Sequence, residues 1–281
     1  MIGLMEPLLD YASLVIERSN VYLLALAILI YTLSLMISSL RWITASRLPH
    51  SLHNVVGGAE SLLVGILVNN VLTFYNITGE LARVGWASLR LRVESARLLV
   101  GALAERASEL PIALIYLSLS TGTVLKLSVV SVALVDRLRD YMWGMARATR
   151  DLASSPPRLL LVLVLSLMIW ILDTARIIVV ASAFNVSLAL TTALGLTVIH
   201  VASRFSPTPA GIGVLEGGFI GYMRLAGIPL GDATLIVLGE RLVSTIIPSV
   251  IGALIVLHRG GISVLKAATR GVSLESSYGN G

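Results

Sequence analysis

Ser206-Pro207-Thr208-Pro209-Ala210-Gly211-Ile212-Gly213-Val214-Leu215-Glu216 is the stretch that decides how this chain reads. It interrupts hydrophobic sequence that is otherwise long enough to sit in a bilayer. Two prolines and two glycines between positions 207 and 213 stop a helix, because proline lacks the donor N–H and its ring clashes with the preceding turn. Broken backbone at membrane depth is tolerated only where protein or a water-filled cavity surrounds it. Thr208 followed by Pro209 reads as an N-cap and a first helical residue. A helix starting there aims its N–H groups and positive dipole end into the break, with Glu216 in its first two turns. Two readings stand at this point: a loop between two ordinary spans, or the broken element of a transport site.

Composition sets the class. The chain has 281 residues, 56% hydrophobic and only 13% charged, where soluble domains carry about a quarter charged residues. The mean hydropathy is +0.88, and the chain reads as an all-α polytopic membrane protein. No cysteine is present, which excludes disulfides, thiol nucleophiles and thiolate metal sites. The four histidines, His50, His53, His200 and His258, are scattered, so no metal site is expected. The net charge of +5 is carried mostly by arginine. In a membrane protein that excess is a topology signal and an attraction to anionic headgroups; nucleic acid is not an expected partner. No P-loop glycine-lysine sequence and no nucleophile–base–acid set is recognisable, so no cofactor and no enzymatic activity are expected.

Along the chain, residues 1–20 read as an interfacial segment, residues 21–258 as one transmembrane domain, and residues 259–281 as a flexible cytoplasmic tail. Val21 to Leu40 is a first span closed by Arg41 and Trp42 at the interface. Ser46 to Ala59 is a polar connection, and Ser61 to Tyr75 is apolar but short of the roughly 20 residues needed to cross. Leu81 to Ser95 is helix-compatible, and Leu98 to Ser120 is a full span containing Glu105, Arg106 and Glu109. Residues 121–158 read as a linker span and a basic helix, with a hinge at Ser154-Ser155-Pro156-Pro157. Leu159 to Ala183, Ser187 to Ser203, Val214 to Ala226 and Ala233 to Leu257 follow, giving about eight to nine membrane helical segments.

An internal repeat organises them. Leu103-Ala104-Glu105-Arg106 … Pro111 matches Leu238-Gly239-Glu240-Arg241 … Pro248, and Gly79-Glu80 matches Gly213-Val214-Leu215-Glu216. The repeat halves are 21–120 and 159–257. Arginines cluster at positions 41/47, 90/92/97, 137/139/147/150/158 and 259/270, and the positive-inside rule puts all four clusters in the cytoplasm. The N-terminus then lies outside and the C-terminus inside. Residues 61–95 and 187–226 become two opposed re-entrant hairpins, with tips at Asn76–Glu80 and Pro207–Gly213, and the halves are inverted. The alternative is eight full crossings, which leaves Arg90, Arg92 and Arg97 outside.

A charge at mid-bilayer costs at least about 2.5–3.5 kcal/mol on insertion scales, so such residues face a cavity or a partner. Asp173 and Arg176 are three apart and able to neutralise each other. Glu105-Arg106 and Glu240-Arg241 are adjacent, so each pair points to different helix faces and needs partners on other helices. His200 reads as a packed polar residue sharing a face with Arg204, and Asn69 and Asn70 as helix–helix hydrogen bonds.

At these residues the chain resembles the lysylphosphatidylglycerol synthase/flippase transmembrane region, the membrane half of the bacterial multiple peptide resistance factor. The motifs are Asn76-Ile77-Thr78-Gly79-Glu80-Leu81-Ala82-Arg83, Ala104-Glu105-Arg106, Pro207-Thr208-Pro209-Ala210-Gly211-Ile212-Gly213-Val214-Leu215-Glu216, Glu240-Arg241 and Pro248. Phe74 to Thr78 departs from the family's proline-and-arginine pattern before the first Gly-Glu, and Ala210 replaces a glycine. The resemblance implies a protein that moves a lipid between leaflets; without the soluble acyltransferase-like domain, no synthase activity is expected. The expected substrate-binding set is Asn76, Glu80, Arg83, Glu105, Arg106, Arg204, Pro207, Pro209, Gly211, Gly213, Glu216, Glu240 and Arg241. In it the arginines and the helix end at Pro209–Gly213 hold an anionic headgroup, and the glutamates orient the arginines or carry protons. Expected partners are membrane lipids with anionic headgroups, a separate synthase or glycosyltransferase, and a second copy of the chain. The alternatives are a membrane-embedded enzyme, or an accessory subunit, acting on lipid-linked substrates.

Overall fold

The computed structural model describes residues 13, 15–71, 77–120, 154–203 and 213–259. The described residues are all-helical: α1 (Val21–Ala45), α2 (Leu52–Val71), α3 (Ile77–Leu91), α4 (Ser95–Leu119), α5 (Pro156–Ala183), α6 (Leu190–Ser203), α7 (Val214–Leu225), α8 (Leu230–Arg241) and α9 (Ile247–His258). A π-helical turn, Leu242–Ile246, joins α8 to α9. Pro248 explains it, because its ring clashes with the carbonyl four residues back and the wider turn relieves the contact. Among the described residues, four stretches are long and apolar enough to cross a membrane: Val21–Ala45, Leu52–Val71, Pro156–Ala183 and Leu230–His258. This is a membrane-embedded protein. The linker span at 121–153, the tail beyond 259 and most of the N-terminal segment lie outside the described residues.

Several boundaries differ from the sequence reading. α1 does not stop at Leu40; it continues to Ala45, and Arg41 and Trp42 are buried in the bundle instead of lying at an interface. The expected connection at 46–59 is helical from Leu52, so α2 reaches 20 residues instead of about 15. At about 1.5 Å per residue that is roughly 30 Å, enough to cross. The proline pair at 156–157 is the first turn of α5, where proline's missing N–H is harmless, and not a hinge outside it. α7 begins after Gly213; the expected helix start at Thr208-Pro209 lies outside the described residues. Gly213 has φ 83°, a backbone region that a side chain would strain.

The helices pack in antiparallel pairs. α1 and α5 run side by side over their whole length: Asn20 N–H donates to the Ala183 carbonyl at 2.7 Å, Ser34 meets Asp173, Arg41 meets Ser166, and Arg47 meets Ser154. α2 and α3 form a hairpin in which Gly65 lies against the Gly79 carbonyl and Gly57 against Leu91. α6 and α7 form a second hairpin, with Gly195 against Tyr222 and Gly218 against Ile199. α9 lies along α2: Gly252 abuts the Leu63 backbone, and Glu60 bonds Arg259. The largest apolar cluster joins α1, α5, α6, α7 and α8 around Ile177, Leu196, Phe219, Met223 and Ile236. A second surrounds Trp42, Ile43, Val84 and Leu98 where α1, α3 and α4 meet.

Candidate functional site

Two polar clusters lie inside the apolar bundle. In the first, α1 supplies Arg41, α3 supplies Glu80 and Arg83, and α4 supplies Glu105, Arg106 and Glu109. Arg41 Nε contacts Glu105 Oε1 at 3.1 Å, and Arg41 Nη2 contacts Glu109 Oε1 at 3.0 Å. Arg83 Nη2 contacts Glu105 Oε2 at 2.5 Å, and Arg83 Nη1 contacts Glu80 Oε2 at 3.1 Å. Arg106 bonds Glu80 and lies 3.5 Å from Glu109. The pairs close on themselves: Arg41, Glu105, Arg83, Glu80, Arg106, Glu109 and back to Arg41. Three positive and three negative groups alternate around a ring, which offsets the cost of removing each from water. The Arg83 guanidinium also stacks on the Trp42 ring at 3.9 Å.

The second cluster is built from α5, α6, α7 and α8. Arg176 grips Glu240 through Nε and Nη2 at 3.2 and 2.7 Å, a bidentate pair, and contacts Asp173 at 3.1 Å. Ser34 Oγ donates to Asp173 from α1 at 3.2 Å. His200 Nδ1 lies 3.6 Å from Glu240, and its ring faces Phe219. Arg241 contacts Glu216 at 2.6 Å. Glu216 also accepts the Gly213 N–H at 2.7 Å, capping α7 from its third residue.

Burial grades both clusters the same way. Glu105 is 2% exposed, and Arg176 and Glu240 are 1% exposed each. The Glu80 and Glu216 side chains are 26% and 31% exposed. Each cluster therefore has a dry inner pair and a reachable outer carboxylate. The outer carboxylates sit in the first turns of α3 and α7, the helices that follow the two breaks.

The structure brings together Glu80, Arg83, Glu105 and Arg106 in the first cluster and Glu216, Glu240 and Arg241 in the second, with Gly213 at the cap. Asn76, Arg204, Pro207, Pro209 and Gly211 lie outside the described residues. Glu105, Arg106, Glu240 and Arg241 all find partners on other helices, as adjacent charges on opposite faces require. Asp173 and Arg176 do pair, but Arg176 also carries the bond to Glu240. Asn69 accepts the Gly79 N–H at 2.8 Å and Asn70 bonds Ser249, so both act between helices. Among the described residues no group of His, Asp and Glu is placed to hold a metal.

Arg41, Glu109, Asp173 and Arg176 are cluster members absent from the expected set. The signal for Arg41 was in the numbering. Adding 135 to Arg41, Glu105 and Arg106 gives Arg176, Glu240 and Arg241. Arg41 had been counted with Arg47 as an interfacial charge, and the repeat offset outranks that reading.

A family model described as Lysylphosphatidylglycerol synthase TM region matches residues 131–252. Over those residues the chain is similar to that family. The matched stretch carries α5 to α8, the first half of α9 and the whole of the second cluster; the first cluster lies N-terminal to it. The similarity points to a function related to membrane lipids. No curated protein and no solved structure matches the chain.

Proposed function

We propose that this protein moves a lipid with an anionic or aminoacylated headgroup between leaflets, and is not an enzyme. The observation that carries the reading is the pair of Glu–Arg clusters, each with a buried inner pair and a reachable outer pair, in a bundle otherwise lined by apolar side chains. Polar groups at this depth are costly and mark a substrate path. Glu80 with Arg106, and Glu216 with Arg241, are the groups that exchange their mutual contacts for a headgroup. Arg176–Glu240 and Arg41–Glu105 hold them in place. Arg204 and the Pro207–Gly211 stretch complete the second site in this reading.

In this reading the halves are inverted and the hairpins α2–α3 and α6–α7 are opposed re-entrant elements, although α2 by itself is long enough to cross. Three observations support this. α1 and α5, the first helices of the halves, run antiparallel. α7, bounded by Gly213 and Ala226, has 12 residues, about 18 Å, short of a ~30 Å hydrocarbon core. Arg47, Arg90, Arg92, Arg97, Arg158 and Arg259 fall at the end of the bundle where α1 and α3 finish and α4 and α5 start, which the positive-inside rule makes cytoplasmic. The partners proposed are membrane lipids, with a separate synthase supplying an aminoacylated one.

The test is leaflet exchange in liposomes containing the purified protein, fluorescent anionic lipid and an external quencher. The native chain exposes inner-leaflet lipid to the quencher; Glu216→Gln and Arg241→Ala abolish this while eluting and melting as folded protein. Ordinary exchange by both variants sinks the assignment. A lipid whose mass changes on incubation with pure protein replaces it with an enzymatic reading. Activity seen only with a co-purified soluble enzyme replaces it with an accessory one.

A further inference from the structure

At the arginine-rich end, the end of α1, the turn into α2 and the start of α5 line an open cavity of about 570 Å³. Its polar wall is Arg47, His50 and Arg158, with Thr44 and Ser155. Its apolar wall is Leu48, Pro49, Pro157 and Leu161. Arg47 has φ 56°, so the chain turns sharply there, and its guanidinium reaches across to Ser154 Oγ at 3.3 Å. His50 is pinned by Thr44, Oγ1 to Nε2 at 3.0 Å. Leu160, Leu161, Val164, Leu167 and Met168 begin an exposed apolar face on α5 directly below the arginines. Two guanidiniums above an apolar face, at the end of spanning helices, match an amphiphile whose anion sits at the interface and whose chain runs along the bilayer. A free anion would need only the polar wall; the continuation from Leu161 along α5 is what selects a lipid.

We infer that this cavity is a resident binding site for an anionic phospholipid, separate from the translocation path. By bridging Arg47 on the α1 side and Arg158 on α5, the phosphate would tie together the first helices of the two halves.

Native mass spectrometry of the purified full chain, titrated with phosphatidylglycerol or with phosphatidylcholine of the same chains, tests it. The native chain retains phosphatidylglycerol in preference to phosphatidylcholine. The Arg47→Ala/Arg158→Ala variant binds it about 25-fold more weakly, at about fivefold per guanidinium near the membrane surface. Arg47→Lys/Arg158→Lys keeps the charge and most of the preference, which separates lost binding from lost folding. A Glu216→Gln/Arg241→Ala chain, whose central path no longer holds a headgroup, keeps the bound lipid that the Arg47→Ala/Arg158→Ala variant loses. Equal retention of the two lipids overturns the inference, as does unchanged binding in the double alanine variant. Loss of the lipid only in the Glu216→Gln/Arg241→Ala chain assigns the adduct to the central path and overturns it too. Displacement by equimolar inorganic phosphate assigns a free-anion site in its place.

Discussion

The first cluster is a closed ring, and the second is its relative with different members. Positions 41, 105 and 106 recur as Arg176, Glu240 and Arg241, and Glu80 recurs 136 residues on as Glu216. The remaining members do not recur. Adding to Arg83 the 136 that relates Glu80 to Glu216 gives Phe219, and adding 135 to Glu109 gives Ser244; subtracting 135 from Asp173 and His200 gives Ser38 and Gly65. Phe219 is fully buried with its ring facing His200, so an apolar ring stands where the first half has the guanidinium. His200 approaches Glu240 from α6 instead, as Arg83 approaches Glu105 from α3. The shared members are the inner and outer pairs, and the variable members are the links between them. Those links set how firmly each outer carboxylate is tied to its interior.

The comparison breaks most visibly if an inner carboxylate is removed. Glu105→Ala strands Arg41 and Arg83 of a shared acceptor, and Glu240→Ala takes the bidentate acceptor from Arg176. Each costs about 3–5 kcal/mol, with Glu105 the larger because two arginines depend on it. Thermal unfolding in detergent reads both, and losses under 1 kcal/mol would mean that the rings do not hold the bundle. Gly252→Ala comes next. Its Cβ would meet the Leu63 carbonyl oxygen at 2.5 Å and its carbon at 3.0 Å, and backbone cannot move aside as a side chain can. About 1–3 kcal/mol is expected, sharpening the claim that α2 and α9 are locked across the halves.

Glu216→Gln sharpens the division between inner and outer groups. The amide still accepts the Gly213 N–H, so the cost is about 1 kcal/mol or less, while leaflet exchange disappears. Glu80→Gln does the same in the first half if both outer pairs serve the path; full exchange in that variant would assign the path to the second half alone. Glu60→Gln is the smallest. Arg90 and Arg259 flank Glu60 where it meets solvent, and under about 1 kcal/mol is at stake, shrinking further in salt.

Much of the candidate site was legible because charges in apolar sequence stand out. Glu105-Arg106 and Glu240-Arg241 are visible as adjacent opposite charges that no single helix face can satisfy. Arg41 was not, because an arginine at the end of an apolar run looks the same whether the helix stops at the interface or continues for another turn. α2 was underestimated for a related reason: its first turns carry His53 and Asn54, which read as loop until α1 and α3 pack on Gly57 and Gly58. α7 starts after Gly213, where the positive φ suits glycine, while the expected helix start at Thr208-Pro209 lies outside the described residues.

Sequence alone determined that the chain is helical and membrane-embedded, since 13% charge and runs of apolar residues leave a bilayer as the only solvent that suits them. It also determined which charges must find partners, and the offset at which they recur. Tertiary structure decided who those partners are. Whether Arg176 serves Asp173 beside it or Glu240 on another helix depends on the crossing of α5 and α8, and the ring around Arg83 exists only where α1, α3 and α4 converge. Pairing of buried charges is a property of distances between helices, which no single helix encodes.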